Sequence, residues 1–547
     1  MEIQMNNFTP TPEQRRILDA IRTDKTVVVQ ADPGSGKTTT LLAAIEQAIT
    51  AGTPPSRIQA LSFSVRQSQD MAEKLAARVL GIACGTCHSL AYRLVSNNAE
   101  RLEIRQPVRV HSSPWDRRDH DHPLWTFWVR ALEIFPGARR RGEAEKHFRD
   151  TCKGLGVVTY DDLIQFALLI LDREWDSVDV DLLCVDEAQD FREPEIELIE
   201  RIKYRNRLIL GDRNQTIYSW RGASDRLFDL PGTHLTLSDN FRSIREIVEI
   251  ANRFMGTAMH AQNARRCPGS SDGWSHVDGE RDIALETEWI SHYISEDIAH
   301  KKTVAVLTRT NYYADKIRDG LRALAIECTG DEIRMFDEPW FQRFLAALRL
   351  YENSTSNVDC EYVYHLTPNE IKCAVENSVY YYDSIIEFRN LDPLYIAHAL
   401  EAYEAIRYML IQAVGEKLAA EKWSNVKYLW KTSPCGTVAD FISYIEDLAR
   451  TPAALPTDKV FVGPVHAAKG LEWDAVIVAG CHAGHFPIQK RGTNQLEERR
   501  IFYVAMTRPR YDLCFTWARE QDGWSGKSHE VQASPYFIEI ESVEVGA

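Results

Sequence analysis

The 547-residue sequence has no excess of positive charge: 64 Lys and Arg stand against 79 Asp and Glu, a formal net charge of -15. Without a global basic field, any contact with nucleic acid must use a local groove. Long apolar runs are missing too. The longest, such as 182–185 and 475–480, fall far below the roughly 18 residues that span a bilayer, which excludes the membrane as a home. No cationic segment followed by an apolar one opens the chain. The 11 cysteines are scattered, and Cys84–Cys87 has no second CxxC to complete a zinc site. These absences point to a reducing cytoplasm rather than a disulfide scaffold. Internal repeats and low-complexity segments are also absent. With 44% hydrophobic and 26% charged residues, the chain reads as folded, with about three to five domain-sized units.

Short β-branched runs lie at 26–30, 58–63, 182–185, 207–210, 303–307, 459–462 and 475–479, each followed by a turn or a helical pattern. Strands alternating with helices predict parallel α/β layers. Four of the runs precede residue 235 and three follow residue 300, so two α/β cores are expected. Residues 95–160 and 351–458 break the alternation and read as mainly helical inserts, the second returning to a strand through Thr451-Pro-Ala-Ala-Leu-Pro456.

The first run leads into Ala31-Asp-Pro-Gly-Ser-Gly-Lys-Thr38 and then a helix-forming stretch. This is the strand, phosphate loop and helix of a nucleotide site. Amides of Gly34, Ser35, Gly36 and Lys37 can surround polyphosphate oxygens, with Lys37 adding a point charge and Thr38 a magnesium-binding hydroxyl. The run 182–185 ends in Asp186-Glu187. A carboxylate pair at the C-terminal end of a parallel strand can divide two tasks: Asp186 to hold Mg2+, and Glu187 to take a proton from attacking water.

Together with Gly211-Asp-Arg-Asn-Gln-Thr-Ile-Tyr-Ser-Trp-Arg-Gly-Ala223, these motifs resemble the superfamily 1A helicases of the UvrD, PcrA and Rep type. The resemblance continues in chain order through Gln14, Leu61-Ser-Phe-Ser-Val-Arg66, Gly85-Thr-Cys-His-Ser89, Asn240-Phe-Arg-Ser243, His466-Ala-Ala-Lys-Gly-Leu-Glu-Trp473 and Tyr503-Val-Ala-Met-Thr-Arg508. It implies two RecA-like P-loop NTPase cores, each with an insert: core 1A at 1–94 and 161–235, insert 1B at 95–160, core 2A at 236–350 and 459–547, and insert 2B at 351–458. It implies ATP and Mg2+ as cofactors. It also assigns Gln14 to the adenine, Phe241 to base stacking, Glu472 to the ribose, Gln215 to the γ-phosphate, and Arg242 and Arg508 to the role of arginine fingers. Thr39 belongs to the same nucleotide set, and it stands where many relatives carry an arginine. Arg66 replaces a common Lys, Cys87 an aromatic, and Phe241 a Tyr.

For the nucleic-acid side, the resemblance implies base stacking on Phe63, Tyr218 and Trp220. Phosphates fall to Thr86, His88, Arg309, Asn311 and His466. The substrate so implied is single-stranded DNA and tailed or forked duplex, with 3′-to-5′ movement. In the first insert, Arg105, Arg109, Arg117, Arg118 and Arg139-Arg-Arg141 interleave with Trp115, Trp125 and Trp128. They support two readings, a grip on duplex or a solvated face over a small helical core. The crowded segment 116–122, rich in Asp and His, reads as a loop rather than a metal site. Both inserts read as reduced, and about 40 residues after Arg508 leave no room for a nuclease domain. Two alternatives stay open: a motor subunit that works with a nuclease or repair protein, and a nucleotide-gated DNA-binding protein with little turnover.

Overall fold

The computed structural model describes residues 9–76, 82–106, 108–111, 141–154, 156–263, 273–276, 279–299, 303–329, 460–489, 492–522 and 528–542, with isolated residues in 131–134 and 341–442. Most of 351–458 lies outside the described residues, as do Trp115, Trp125, Trp128, Arg117, Arg118, Arg139, Arg140 and the segment 116–122. The chain divides into two compact units. One comprises Met1–Cys87, Ser177–Asp331 and Ala454–Ala547; the other comprises His88–Asp176 and Glu332–Ala453.

The first unit holds two six-stranded sheets. In the first, β1 (Thr26–Ala31), β2 (Ile58–Leu61), β3 (Ala83–Gly85), β4 (Asp179–Val185), β5 (Lys203–Gly211) and β6 (Thr233–Leu237) run in the order β3-β2-β4-β5-β1-β6, every pair parallel. The second contains β7 (Gly273–His276), β8 (Val304–Thr308), β9 (Cys328–Thr329), β10 (Val460–Pro464), β11 (Trp473–Val478) and β12 (Pro509–Phe515). Its order is β7-β12-β11-β8-β10-β9, again all parallel. The central strands are apolar throughout because helices cover both faces: Val27, Val28 and Val29 of β1 and Val304–Leu307 of β8 are all buried. All seven runs read from the sequence fall on strands. The strands left unread are short, at an edge, or, like β12 (PRYDLCF), interrupted by polar residues that hide the apolar run.

Parallel strands force the chain to return outside the sheet, so the loops after the strands collect on one edge. In the first sheet that edge carries the loops after β1, β2, β3, β4 and β5, five stretches far apart in sequence. Among the described residues of the second unit, Arg109–His111 pairs in parallel with Val157–Thr159, and the helix Tyr160–Asp172 follows. Its N-cap Thr159 accepts the Asp162 N–H, while the Asp162 carboxylate accepts Arg149 Nε at 2.6 Å and the Thr159 hydroxyl at 2.7 Å.

Candidate nucleotide cleft and nucleic-acid interface

The phosphate loop turns on Gly34 (φ 69°) and Gly36 (φ 81°), and the latter caps the helix Lys37–Thr50. A Cβ at Gly34 would lie 2.8 Å from Arg242 Cβ and 3.0 Å from Asn240 Nδ2, so only glycine fits where the segment 240–242 closes on the loop. That closure is hydrogen-bonded. The Phe241 N–H donates to Gly34 O at 2.9 Å and Asn240 Nδ2 to Pro33 O at 2.7 Å. Lys37 Nζ donates to Ala31 O at 2.8 Å. Ser35 is 1% exposed and its hydroxyl has no hydrogen-bond partner among the described residues, an orphan that a phosphate oxygen would satisfy.

Lys37, Thr38 and Thr39 line a cleft of about 710 Å³ with Asp186, Glu187, Gln215, Phe241, Arg242, Glu472 and Arg508. Ten of the residues assigned to catalysis or nucleotide contact from the sequence thus meet with Gly34, Ser35 and Gly36 in one space. Gln14 is buried outside that lining. Its Oε1 accepts the Thr11 N–H in a helix cap, while its Nε2 faces Gly36. Phe241, by contrast, is 46% exposed.

Both acids are deeply placed. Asp186 Oδ1 accepts the Glu187 N–H at 2.9 Å, and burial together with the Glu187 charge pushes the Asp186 carboxyl up to about 7. Glu187 moves the other way: burial opposes its charge, but Lys37, Lys469 and a hydrogen bond from Gln189 outweigh it and hold it below the ordinary range. The backbone at Glu187 is left-handed (φ 53°), a strained conformation for a non-glycine residue. A buried carboxylate and the Thr38 hydroxyl in one cleft are hard-oxygen donors of the kind magnesium takes, so the residues fit that ion.

The second core supplies the arginines. Arg508, 2% exposed, reaches Gln215 Oε1 with Nη2 at 3.3 Å and is fixed from behind by the carbonyls of Val504 and Leu471. Burial and the neighbouring Arg242 bring its guanidinium down to about 9. Arg242 Nε donates to Glu472 Oε2 at 2.6 Å and Nη1 to Thr507 O at 3.1 Å, while Arg510 Nη2 donates to Glu472 Oε1 at 2.6 Å. Burial alone would raise the Glu472 carboxyl; the two arginines instead draw it down to about 2. Both oxygens of Glu472 are thus engaged.

Three participants escaped the sequence reading. Lys469 donates to Asp190 Oδ1 at 2.5 Å and to Gln215 O at 2.7 Å, an ion pair between the two cores with both side chains almost fully buried. Arg510 is the third. Each lies within or beside a motif already noted, but ion pairing between distant segments has no signature in a single sequence.

On the other side, Phe63 stacks on Tyr218 (centroids 5.8 Å, 25°), and Tyr218 meets His466 (5.9 Å) and donates its hydroxyl to His466 O at 3.1 Å. Burial and Arg309 bring the His466 imidazole down to about 4. Trp220 is 67% exposed with the Arg221 guanidinium 4.9 Å from its ring centre. Trp220, Arg309, Asn311 and His466 line one pocket of about 730 Å³. Arg309 is held in a two-point ion pair with Glu498 (2.8 and 2.5 Å). Thr86 is buried at the end of β3. His88 falls in the second compact unit, its ring edge-on to Tyr160 at 5.4 Å.

Fold and site together define an α/β protein with two RecA-like cores about a P-loop. The profile of the AAA domain matches residues 14–221, and that of the UvrD-like helicase C-terminal domain matches 235–390 and 430–520. A probable DNA helicase II homolog of Mycoplasma capricolum is 24% identical, covering 94% of this chain and 86% of its own length. The ATP-dependent DNA helicase PcrA of Staphylococcus aureus is 22% identical (91% and 82%), and the ATP-dependent DNA helicase UvrD2 of Mycobacterium tuberculosis is 26% identical (90% and 76%). The chain belongs to the UvrD-like superfamily 1 helicases. Among the described residues no helix is long and apolar enough to cross a membrane.

Proposed function

We propose that this chain is an ATP-dependent DNA helicase that moves 3′-to-5′ along single-stranded DNA, coupling ATP hydrolysis between two RecA-like cores to translocation, with tailed or forked duplex as its substrate. The observation that carries the reading is the meeting of both cores in one cleft: Arg508 and Lys469 of the second reach Gln215 and Asp190 of the first. In this reading the loop amides and Lys37 hold the phosphates, Phe241 stacks on the base, Gln14 and Thr39 complete the base side, and Glu472 serves the ribose while orienting Arg242. Magnesium, held by Thr38 and Asp186, offsets phosphate charge when bound. Glu187 takes the proton of the attacking water, and Arg242 and Arg508 neutralise charge that develops on the transferred phosphoryl group. Gln215, between Arg508 and the chain leading to Tyr218 and Trp220, passes the nucleotide state to the strand side. The domain scheme 1A, 1B, 2A and 2B of the sequence reading belongs to the same proposal.

Strand displacement on 3′-tailed and 5′-tailed duplexes tests it. Displacement of the 3′-tailed duplex alone, lost in Lys37→Ala, is the expected outcome. Displacement restricted to 5′ tails overturns the polarity, and displacement by Lys37→Ala overturns the motor assignment.

A further inference from the structure

Among the described residues, the two most exposed large apolar or aromatic side chains are Trp220, 67% exposed, and Tyr312, 66% exposed. Their places are related. Trp220 lines the pocket of about 730 Å³, and Tyr312 follows directly on Asn311, another residue of the same lining. A large aromatic face left in water buries little area in the free protein, and Trp and Tyr, with an apolar body and a polar end, are enriched at interfaces. Tyr312 stands in the first turn of the helix Asn311–Ala323, where the helix dipole favours an anion. Lys316, one turn on, places its ammonium 5.0 Å from the ring centre. Ring, ammonium and helix start together present what a nucleotide of a single strand offers partners for: a base face and a phosphate.

We propose that Tyr312 is a further base-stacking platform for single-stranded DNA, extending the strand path from the Trp220 pocket onto this helix. The inference rests on the reading of that pocket as strand-binding. The competing role, a Tyr–Lys pair that merely steadies the helix at i,i+4 spacing, predicts different behaviour.

Fluorescence anisotropy of a labelled oligothymidylate with the whole chain separates them. Tyr312→Phe keeps the aromatic face and should bind within about twofold of the parent. Tyr312→Leu and Tyr312→Ala should bind about five- to tenfold more weakly, the low end for loss of one stacked base. On an oligonucleotide carrying abasic sites that difference should vanish. Tyr312→Leu binding like the parent, or a deficit that persists on the abasic strand, overturns the proposal. A loss confined to Trp220→Ala leaves the strand pocket standing and removes Tyr312 from it. A parent chain with no affinity for the oligonucleotide overturns the underlying reading as well.

Discussion

The two parallel sheets use their edges differently. In the first, the loops proposed for nucleotide and strand share the C-terminal edge: the phosphate loop after β1 and the acids after β4 lie with Phe63 after β2 and Trp220 beyond β5. In the second they separate. Arg309 and Asn311 follow the C-terminal end of β8, while Glu472 and Arg508 precede β11 and β12 at their N-terminal ends. The eight residues 465–472 must therefore travel back along the sheet between β10 and β11, at up to about 3.3 Å per residue. His466 stands at one end of that crossing, Glu472 at the other and Lys469 between them, bound to the first core. The helix Gln495–Met506 makes the same journey, from Glu498 on Arg309 to the turn that presents Arg508. On the proposed reading the first core gathers the ligands and the second connects them.

If that division holds, substitutions in the second core should spare nucleotide binding and remove its consequence. The largest effect is expected for Arg508→Ala: if Arg508 acts as an arginine finger, steady-state ATP turnover should fall by about 10³-fold or more, with ATP affinity from equilibrium titration changed far less. Equal loss of affinity would return Arg508 to ground-state binding. Next comes Lys469→Met, which leaves Asp190 buried and unpaired; losing one partner of a buried pair costs roughly 3–5 kcal/mol, so chemical denaturation should show a marked drop in stability. Asp190→Asn in the same background should recover part of it, and no recovery would deny the pairing. A smaller change is expected for Trp220→Ala, with single-strand affinity reduced by about 1–3 kcal/mol in a binding titration.

The smallest effect concerns pH. Glu472 has a carboxyl drawn below its ordinary 4.5 to about 2, so its contribution to stability is present above about pH 4.5 and is lost as the pH falls toward 2. The denaturation profile of Glu472→Gln should be flatter than the parent's across that window. An unchanged slope would separate Glu472 from its two arginines.

Much of this was legible beforehand because the phosphate loop and the acids sit at ends of β-branched strands, where periodicity and turn chemistry agree. The placements of Lys37, Asp186 and Arg508 in one cleft followed from motif order. What stayed hidden depended on distance in sequence. Lys469 and Asp190 lie 279 residues apart, and neither segment alone says that it carries an ion pair. The resemblance assigns Arg309 to a phosphate, but that Glu498 fixes its guanidinium is visible only in the fold. Tyr312 carries no signal in the sequence, because an aromatic in the first turn of an amphipathic helix reads as core until its exposure is seen.

If the proposal holds, strand and nucleotide act on each other through the connections of the second core. The most direct measurement is ATP turnover by the whole chain with and without saturating single-stranded DNA. Strong stimulation by the single strand, weakened in Trp220→Ala, is the expected result; a rate indifferent to the strand would rule the coupling out.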